Sequence, residues 1–284
     1  MGNVYDNKVT LNNGVKMPWL GLGVWRAQEG GEVENAVKWA TEAGYRAIDT
    51  AMIYQNEAGV GKAVSESGIP RSEIFVTTKL WNTDGGYEKA LKAFDESRKR
   101  LGFDYIDLYL IHWPISSTFR DSWKALCHLY KEGYVRAIGV SNFDAEKIDI
   151  ISDDTGVVPA VNQVQLHPLN TQKELLQYSN KKGIRLTAWR PLLKGKFNIL
   201  LIFELAEKYG RSPAQILLRW SHQNGVIVIP KSVHKERIIE NAGFFDFELS
   251  LEDMQKIDNL NENKHFGNNA EQMEQMFYAL TSDK

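Results

Sequence analysis

One cysteine, Cys127, stands among 284 residues, so no intrachain disulfide can form. A chain of this length can bury a sizeable core without one. That cysteine usage suits a reducing compartment, and a cytoplasmic location is expected. Charge of one sign is lacking too: 34 Lys and Arg against 36 Asp and Glu leave a formal net charge of −2. No basic field is available to hold nucleic acid, and no polybasic cluster to hold a membrane surface. Long apolar runs are missing. The longest, residues 199–203, is far too short to span a bilayer. The opening stretch, MGNVYDNKVTLNNGV, has no apolar core of signal-peptide length. Gly2 could begin a myristoylation motif, but Asp6 stands where that motif takes Ser or Thr.

Several catalytic signatures are also absent. The histidines are His112, His128, His167, His222, His234 and His265, and none form an HxH or HExxH spacing. A catalytic zinc is therefore not expected, and no metal site is assigned. There is no G-x-S-x-G elbow and no G-x-x-x-x-G-K-[ST] loop. Gly21-Leu22-Gly23 and Gly59-Val60-Gly61 are only fragments of G-x-G-x-x-G. A nicotinamide cofactor would have to bind without that glycine-rich turn.

What is present is an alternation of short β-rich runs with amphipathic helices. The runs are 19–23, 47–50, 74–79, 106–112, 135–140, 160–165, 185–189 and 226–230. Between them, Val33, Ala36, Val37, Ala40 and Ala43 recur at helical spacing. So do Tyr87, Ala90, Leu91, Phe94 and Leu101, and then Trp123, Leu126, Cys127 and Tyr130. Strands alternating with helices imply parallel pairing. Eight such units predict a single (β/α)8 barrel domain over residues 1–284, with an open doubly wound sheet as the alternative. Residues 9–11 and 15–17, joined by Asn12-Asn13-Gly14, predict an N-terminal hairpin that plugs the barrel's bottom. Residues 251–260 predict one extra C-terminal helix, followed by a polar tail.

In such a barrel the active site forms at the carboxyl ends of the strands. Asp49, Lys79 and His112 end the second, third and fourth runs, each after apolar residues. An ionisable group there is costly unless paired or solvated. Three on consecutive strands should converge, although a plain Asp49–Lys79 ion pair would explain two of them. Tyr54 follows Asp49 by five residues, in a loop over the mouth. A neighbouring lysine ammonium favours its phenolate and makes it a plausible proton donor to a carbonyl oxygen that receives hydride. His112 would orient that carbonyl, and Asp49 would hold Lys79. Lys79 could instead form a Schiff base, but Asp49 keeps it protonated and poorly nucleophilic. Late in the chain, Lys231 and Arg237 bracket a helix start after the last run. There they could clamp a phosphate and favour NADP over NAD.

These residues resemble the aldo-keto reductase superfamily over nearly the whole chain. The pieces are LGLGVW at 20–25, AGYRAIDTAMIYQNE at 43–57, TTKLWN at 77–82, YIDLYLIHWP at 105–114, VRAIGVSNF at 135–143, VNQVQLHP at 161–168 and IPKSVHKERIIEN at 229–241. The most similar branch contains prostaglandin F synthase and 2,5-diketogluconate reductase. The resemblance implies NADPH-dependent reduction of aldehydes and ketones by hydride transfer, with Tyr54 as general acid beside Asp49, Lys79 and His112. It implies that Ser141, Asn142 and Gln163 hold the nicotinamide carboxamide and that Trp189 stacks on its ring. It places Arg190, Pro191 and Leu192 along the cofactor, with Val24 and Trp25 at its edge. Lys231, Ser232, Val233, His234, Arg237, Glu240 and Asn241 would take the adenosine 2′-phosphate and adenine. Trp25 and Trp113, with Tyr54 and His112, would wall the substrate pocket.

Two positions depart from the family pattern. Arg190 stands where a serine is usual, and Gln165 where a glutamate is frequent. The segment 193–197, the loop after His112 and the tail are short, which implies an open pocket. The expected partner is a small carbonyl compound, and the expected state is a monomer. The rival reading is an NADPH-binding sensor with little turnover.

Overall fold

The computed structural model describes residues 7–195 and 198–281. Gly2, Asp6, Lys196 and Phe197, read above from sequence, lie outside the described residues.

The chain enters as an antiparallel hairpin, β1 (Lys8–Thr10) and β2 (Lys16–Pro18), with Val9 opposite Met17. Each strand is displaced by one residue from the sequence expectation. The reason is the turn: Leu11 N–H donates to Val15 O and Gly14 N–H to Leu11 O, so Leu11 and Val15 belong to the loop. Val9, Leu11 and Met17 pack on Ala47, Phe75, Val161 and Ile227, which begin or precede barrel strands. The hairpin therefore closes the bottom, as the sequence implies.

Eight parallel strands follow: β3 (Leu22–Gly23), β4 (Ala47–Asp49), β5 (Phe75–Leu80), β6 (Ile106–Ile111), β7 (Val135–Ser141), β8 (Val161–Gln165), β9 (Arg185–Trp189) and β10 (Ile227–Val228). Each run in the sequence holds one of them. The first and last are shorter than expected, because their pairing continues as single bridges, Leu20 with Val228 and Gly23 with Lys231. Pro230 has no N–H to extend the ladder, but its carbonyl accepts from Gly23 N–H at 3.2 Å. A Cβ on Gly23 would meet Ile229 O at 2.8 Å, so only glycine fits this seam. These contacts join β3 to β10 and close a (β/α)8 barrel.

The strands read as near-continuous apolar runs because helices cover their outer faces. All of β5 and β6 is buried, including Asp107. Its carboxylate is held by Arg71 and Arg136, each at 2.7 Å, and by Val76 N–H. A charge at this depth survives only with such partners.

The helices are α1 (Gly31–Glu42), α2 (Glu57–Ser65), α3 (Tyr87–Leu101), α4 (Phe119–Lys131), α5 (Ala145–Thr155), α6 (Lys173–Lys182), α7 (Leu200–Tyr209), α8 (Pro213–Gln223) and α9 (Lys235–Ala242). The apolar spacings in the sequence mark the buried faces of α1, α3 and α4. Gly102 ends α3 at φ 70°, with its N–H on Arg98 O. α10 (Leu251–Asp258) occupies the predicted extra helix.

The polar tail is a correction: it carries a second helix, α11 (Ala270–Thr281). Asn269 caps it. Its side chain accepts from Gln272 N–H at 2.8 Å, and Gln272 Oε1 accepts from Asn269 N–H at 3.1 Å. Among the described residues, no helix is long and apolar enough to cross a membrane.

Candidate active site

Strand register explains why distant residues converge. Asp49 is level with Thr77, and Lys79 lies two residues beyond Thr77. Lys79 is level with Leu110, and His112 lies two residues beyond Leu110. Register partners share a face, and so do residues two apart on one strand. The stagger of the barrel thus carries Asp49, Lys79 and His112 upward on its inner face. The same count runs from Leu110 through Gly139 to Ser141, level with Gln163, and from Thr187 to Trp189.

Lys79 Nζ lies 2.6 Å from Asp49 Oδ1, 2.8 Å from Thr50 O and 3.5 Å from Tyr54 Oη. The other Asp49 oxygen accepts from Gln163 Nε2 at 2.6 Å. Tyr54 arrives on a short helical turn, Met52–Tyr54, after β4. Asn56 anchors that loop, and it was missed in the sequence. Fully buried, it donates to Val24 O and Ala27 O and accepts from Thr50 Oγ1 at 2.7 Å. Its position inside the quoted AMIYQNE segment was the available signal.

Burial opposes the charge on Lys79, but Asp49 and then Tyr54 outweigh it and hold the ammonium above its ordinary value. For Tyr54, burial raises the phenol and outweighs the lowering by Lys79. The sequence argument named only that lowering. The phenol therefore keeps its proton, which is the form an acid needs. His112 is held well below its ordinary value, first by burial and then by the Lys79 charge. Its ring meets Tyr54 and Trp81 edge-on, at 5.8 and 5.2 Å between centroids, and stacks at 6.3 Å with Trp113. A neutral imidazole beside a protonated phenol can present donors to one oxygen atom.

A cleft of about 800 Å³ runs from this group to the start of α9. Trp25, Tyr54, His112 and Trp113 wall its deep end, as the sequence implies. Ser141, Asn142 and Gln163 border the middle, with Trp189, Arg190, Pro191 and Leu192 opposite. Asn142, at φ 64°, donates to His112 O and accepts from Trp189 Nε1, both at 3.0 Å, so it sets the indole plane. Lys231, Ser232, Arg237, Glu240 and Asn241 line the far end. Val24 is buried, and Val24, Val233 and His234 lie outside the cleft wall.

The cleft fits a phosphorylated nicotinamide cofactor. Among the described residues, Lys231 and Arg237 are in no ion pair, and both face the cleft at a helix N-terminus. An aromatic face and side-chain amides lie between them and Tyr54.

The expected openness is corrected by the tail. Phe266, Asn268 and Met273 add a wall at the mouth, beside Trp81 and Ile53. Glu274 of α11 accepts from Ser116 N–H at 2.6 Å, pinning the helix against the loop after β6. Both departures from the family pattern reach this tail. Gln165 pairs with the Phe266 backbone, and Arg190 donates to Phe266 O.

Comparison with known proteins agrees with this geometry. The profile of the Aldo/keto reductase family matches residues 19–262. The chain is 54% identical to a 9,11-endoperoxide prostaglandin H2 reductase of Trypanosoma cruzi, over 93% of this chain and 95% of that one. It is 52% identical to a glyoxal reductase of Bacillus subtilis, over 93% and 96% respectively. The crystal structure of Gox0644 in complex with NADPH superposes with a TM-score of 0.89 at 44% identity, covering 93% of this chain and 97% of that one. A closed barrel, four convergent side chains at its carboxyl end and these matches have one reading: the chain belongs to the aldo/keto reductase family and is an oxidoreductase.

Proposed function

We propose that this oxidoreductase reduces the carbonyl group of small aldehydes and ketones with NADPH, Tyr54 supplying the proton. The observation that carries the reading is the protonated Tyr54 hydroxyl, 3.5 Å from the Lys79 ammonium, at the deep end of a cleft with free cations at its other end. Bound NADPH supplies the hydride. Lys231 and Arg237 would hold its 2′-phosphate, and Ser141, Asn142 and Gln163 its carboxamide, beside Trp189.

The protein's own part begins with the carbonyl oxygen, which accepts hydrogen bonds from Tyr54 Oη and the neutral His112 ring. As the carbon gains hydride, the oxygen becomes basic and takes the Tyr54 proton. The phenolate left behind faces Lys79 Nζ, whose charge Asp49 keeps in place. Trp25, Trp81 and Trp113 keep water from the reacting atoms. Relatives named glyoxal reductase and prostaglandin H2 reductase support carbonyl chemistry of this kind. We read the protein as a cytoplasmic monomer, on its single cysteine and near-zero net charge.

The test is a panel of carbonyl compounds followed by NADPH absorbance and repeated with NADH. Turnover with NADPH supports the reading, and none with any carbonyl sinks it. Lys231→Ala should raise the KM for NADPH about tenfold or more while leaving that for NADH nearly unchanged, the effect of losing one charge-assisted phosphate contact. Equal weakening of both would remove the 2′-phosphate assignment.

A further inference from the structure

Two arginines meet one tryptophan at the mouth of the cleft. The Arg26 guanidinium lies 4.5 Å from the centre of the Trp25 ring, and that of Arg190 lies 5.2 Å from it. Arg190 also sits 5.0 Å from the Trp189 ring. Both arginines line the cleft. Among the described residues neither is in an ion pair. Arg190 has the Phe266 carbonyl, and Arg26 has only the indole face.

Like charges brought together at a half-buried site repel unless something negative lies near. Burial and then the Arg26 charge disfavour the Arg190 cation. Both residues also hold left-handed backbone, at φ 62° and 59°, which non-glycine residues adopt at a cost. No carboxylate of the described chain compensates any of this. A guanidinium pair of this kind is complementary to an oxyanion, which it can bind through charge-assisted and bidentate hydrogen bonds.

The location says which oxyanion. The Arg190 charge acts on Tyr54, and Trp25 walls the substrate end. Lys231 and Arg237, the cations suited to the cofactor's phosphate, stand at the opposite end. The Arg190 position is also braced from outside, since Phe266 O holds the guanidinium and Gln165 holds Phe266.

We infer that Arg26 and Arg190 form an anion-receiving site on the substrate side, and that the enzyme prefers carbonyl compounds carrying a carboxylate over neutral ones. This rests on the reductase reading above. The cofactor's diphosphate offers the same chemistry, and the experiment separates the two sources.

4-Carboxybenzaldehyde and 4-nitrobenzaldehyde both carry an electron-withdrawing para group, and only the first is anionic. The readout is the ratio of their kcat/KM values with NADPH. In the wild type the ratio exceeds one and falls in about 0.5 M KCl, where screening acts within a few ångströms. Arg26→Gln and Arg190→Gln each lower it about tenfold, the effect of one charge-assisted contact, and Arg26→Glu lowers it further. An unchanged ratio overturns the inference. So does a rise in the KM for NADPH with the ratio intact, which would assign the pair to the diphosphate. If the wild type reduces neither aldehyde, the reductase reading is what fails. The anion site is then read by titrating benzoate against tryptophan fluorescence: tighter binding to wild type than to the double variant supports it, and equal binding overturns it.

Discussion

The Gln165 side chain and the Phe266 backbone exchange two hydrogen bonds. Phe266 N–H donates to Gln165 Oε1 at 2.7 Å, and Gln165 Nε2 donates to Phe266 O at 3.0 Å. A primary amide can do both at once; a carboxylate can only accept. The departure from glutamate at this position therefore has a structural consequence, which is to dock the tail on the rim of β8.

Removing that amide should release the tail. Gln165→Met keeps the volume and loses both bonds, leaving a partly buried N–H without its acceptor. The expected loss is about 1–3 kcal/mol, confined to the tail. Hydrogen exchange of the amides in 262–268 should accelerate while those of β5 and β6 do not change. Wild-type protection of the Phe266 amide in the variant would show that the tail is held by other contacts, such as Glu274 on Ser116 N–H.

Tyr54→Phe removes one oxygen from the deep end of the cleft and nothing that supports the fold. Loss of a positioned general acid lowers turnover by about 10²–10⁴-fold. NADPH should still quench tryptophan fluorescence with its wild-type affinity, since the residues assigned to the cofactor are elsewhere. Near-normal kcat in this variant would transfer the proton to another donor, and His112 is the remaining group at that oxygen.

Asp49→Asn should act mainly on stability and in a pH-dependent way. Lys79 is fully buried, and its ammonium depends on the Asp49 carboxylate at 2.6 Å. Breaking a buried pair from one side costs about 3–5 kcal/mol, readable from urea unfolding near neutral pH. In the wild type the folded Lys79 value is raised, so this stabilisation is complete below the unfolded lysine value and is lost only as pH rises through the folded one. In the variant burial is no longer offset, and the folded lysine holds its proton less firmly than the unfolded one. Variant stability should then climb relative to wild type as pH rises above neutral. A gap independent of pH would mean that Lys79 stays charged without Asp49.

Much of this site was legible from the residues because strand ends are legible. An apolar run that stops at Asp49, Lys79 or His112 marks both a strand and its mouth end, and parallel pairing then forces the ends together. Asn56 was not legible, since its role depends on carbonyls of Val24 and Ala27 that lie some thirty positions earlier. The tail was read as polar because Met273, Met276, Phe277 and Leu280 are diluted by Glu, Gln and Asn, and α11 buries none of its residues. Its contribution to the cleft rests on Gln165 and Arg190, whose partners are backbone atoms, and side-chain spacing carries no trace of those. The balance at Tyr54 was half legible: the lysine follows from position, but the larger effect of burial needs the walls around it.

His112 and Tyr54 together set the pH behaviour of turnover. Burial first, and then the Lys79 charge, hold the imidazole well below its ordinary value, so it is neutral across the physiological range. Protonation of His112 then cannot switch the reaction near pH 6.5, where an exposed histidine titrates. Tyr54 acts as the acid, and burial raises its value, so reduction should be lost only when alkaline pH removes the phenol proton. The profile of kcat for carbonyl reduction should therefore be flat from about pH 6 to 9 and fall above that range, with a single ionisation on the alkaline side. An acidic limb centred near 6.5 would show that His112 is charged in the working complex. It would then donate as imidazolium, and Lys79 would have to act on Tyr54 from beside a second cation rather than alone.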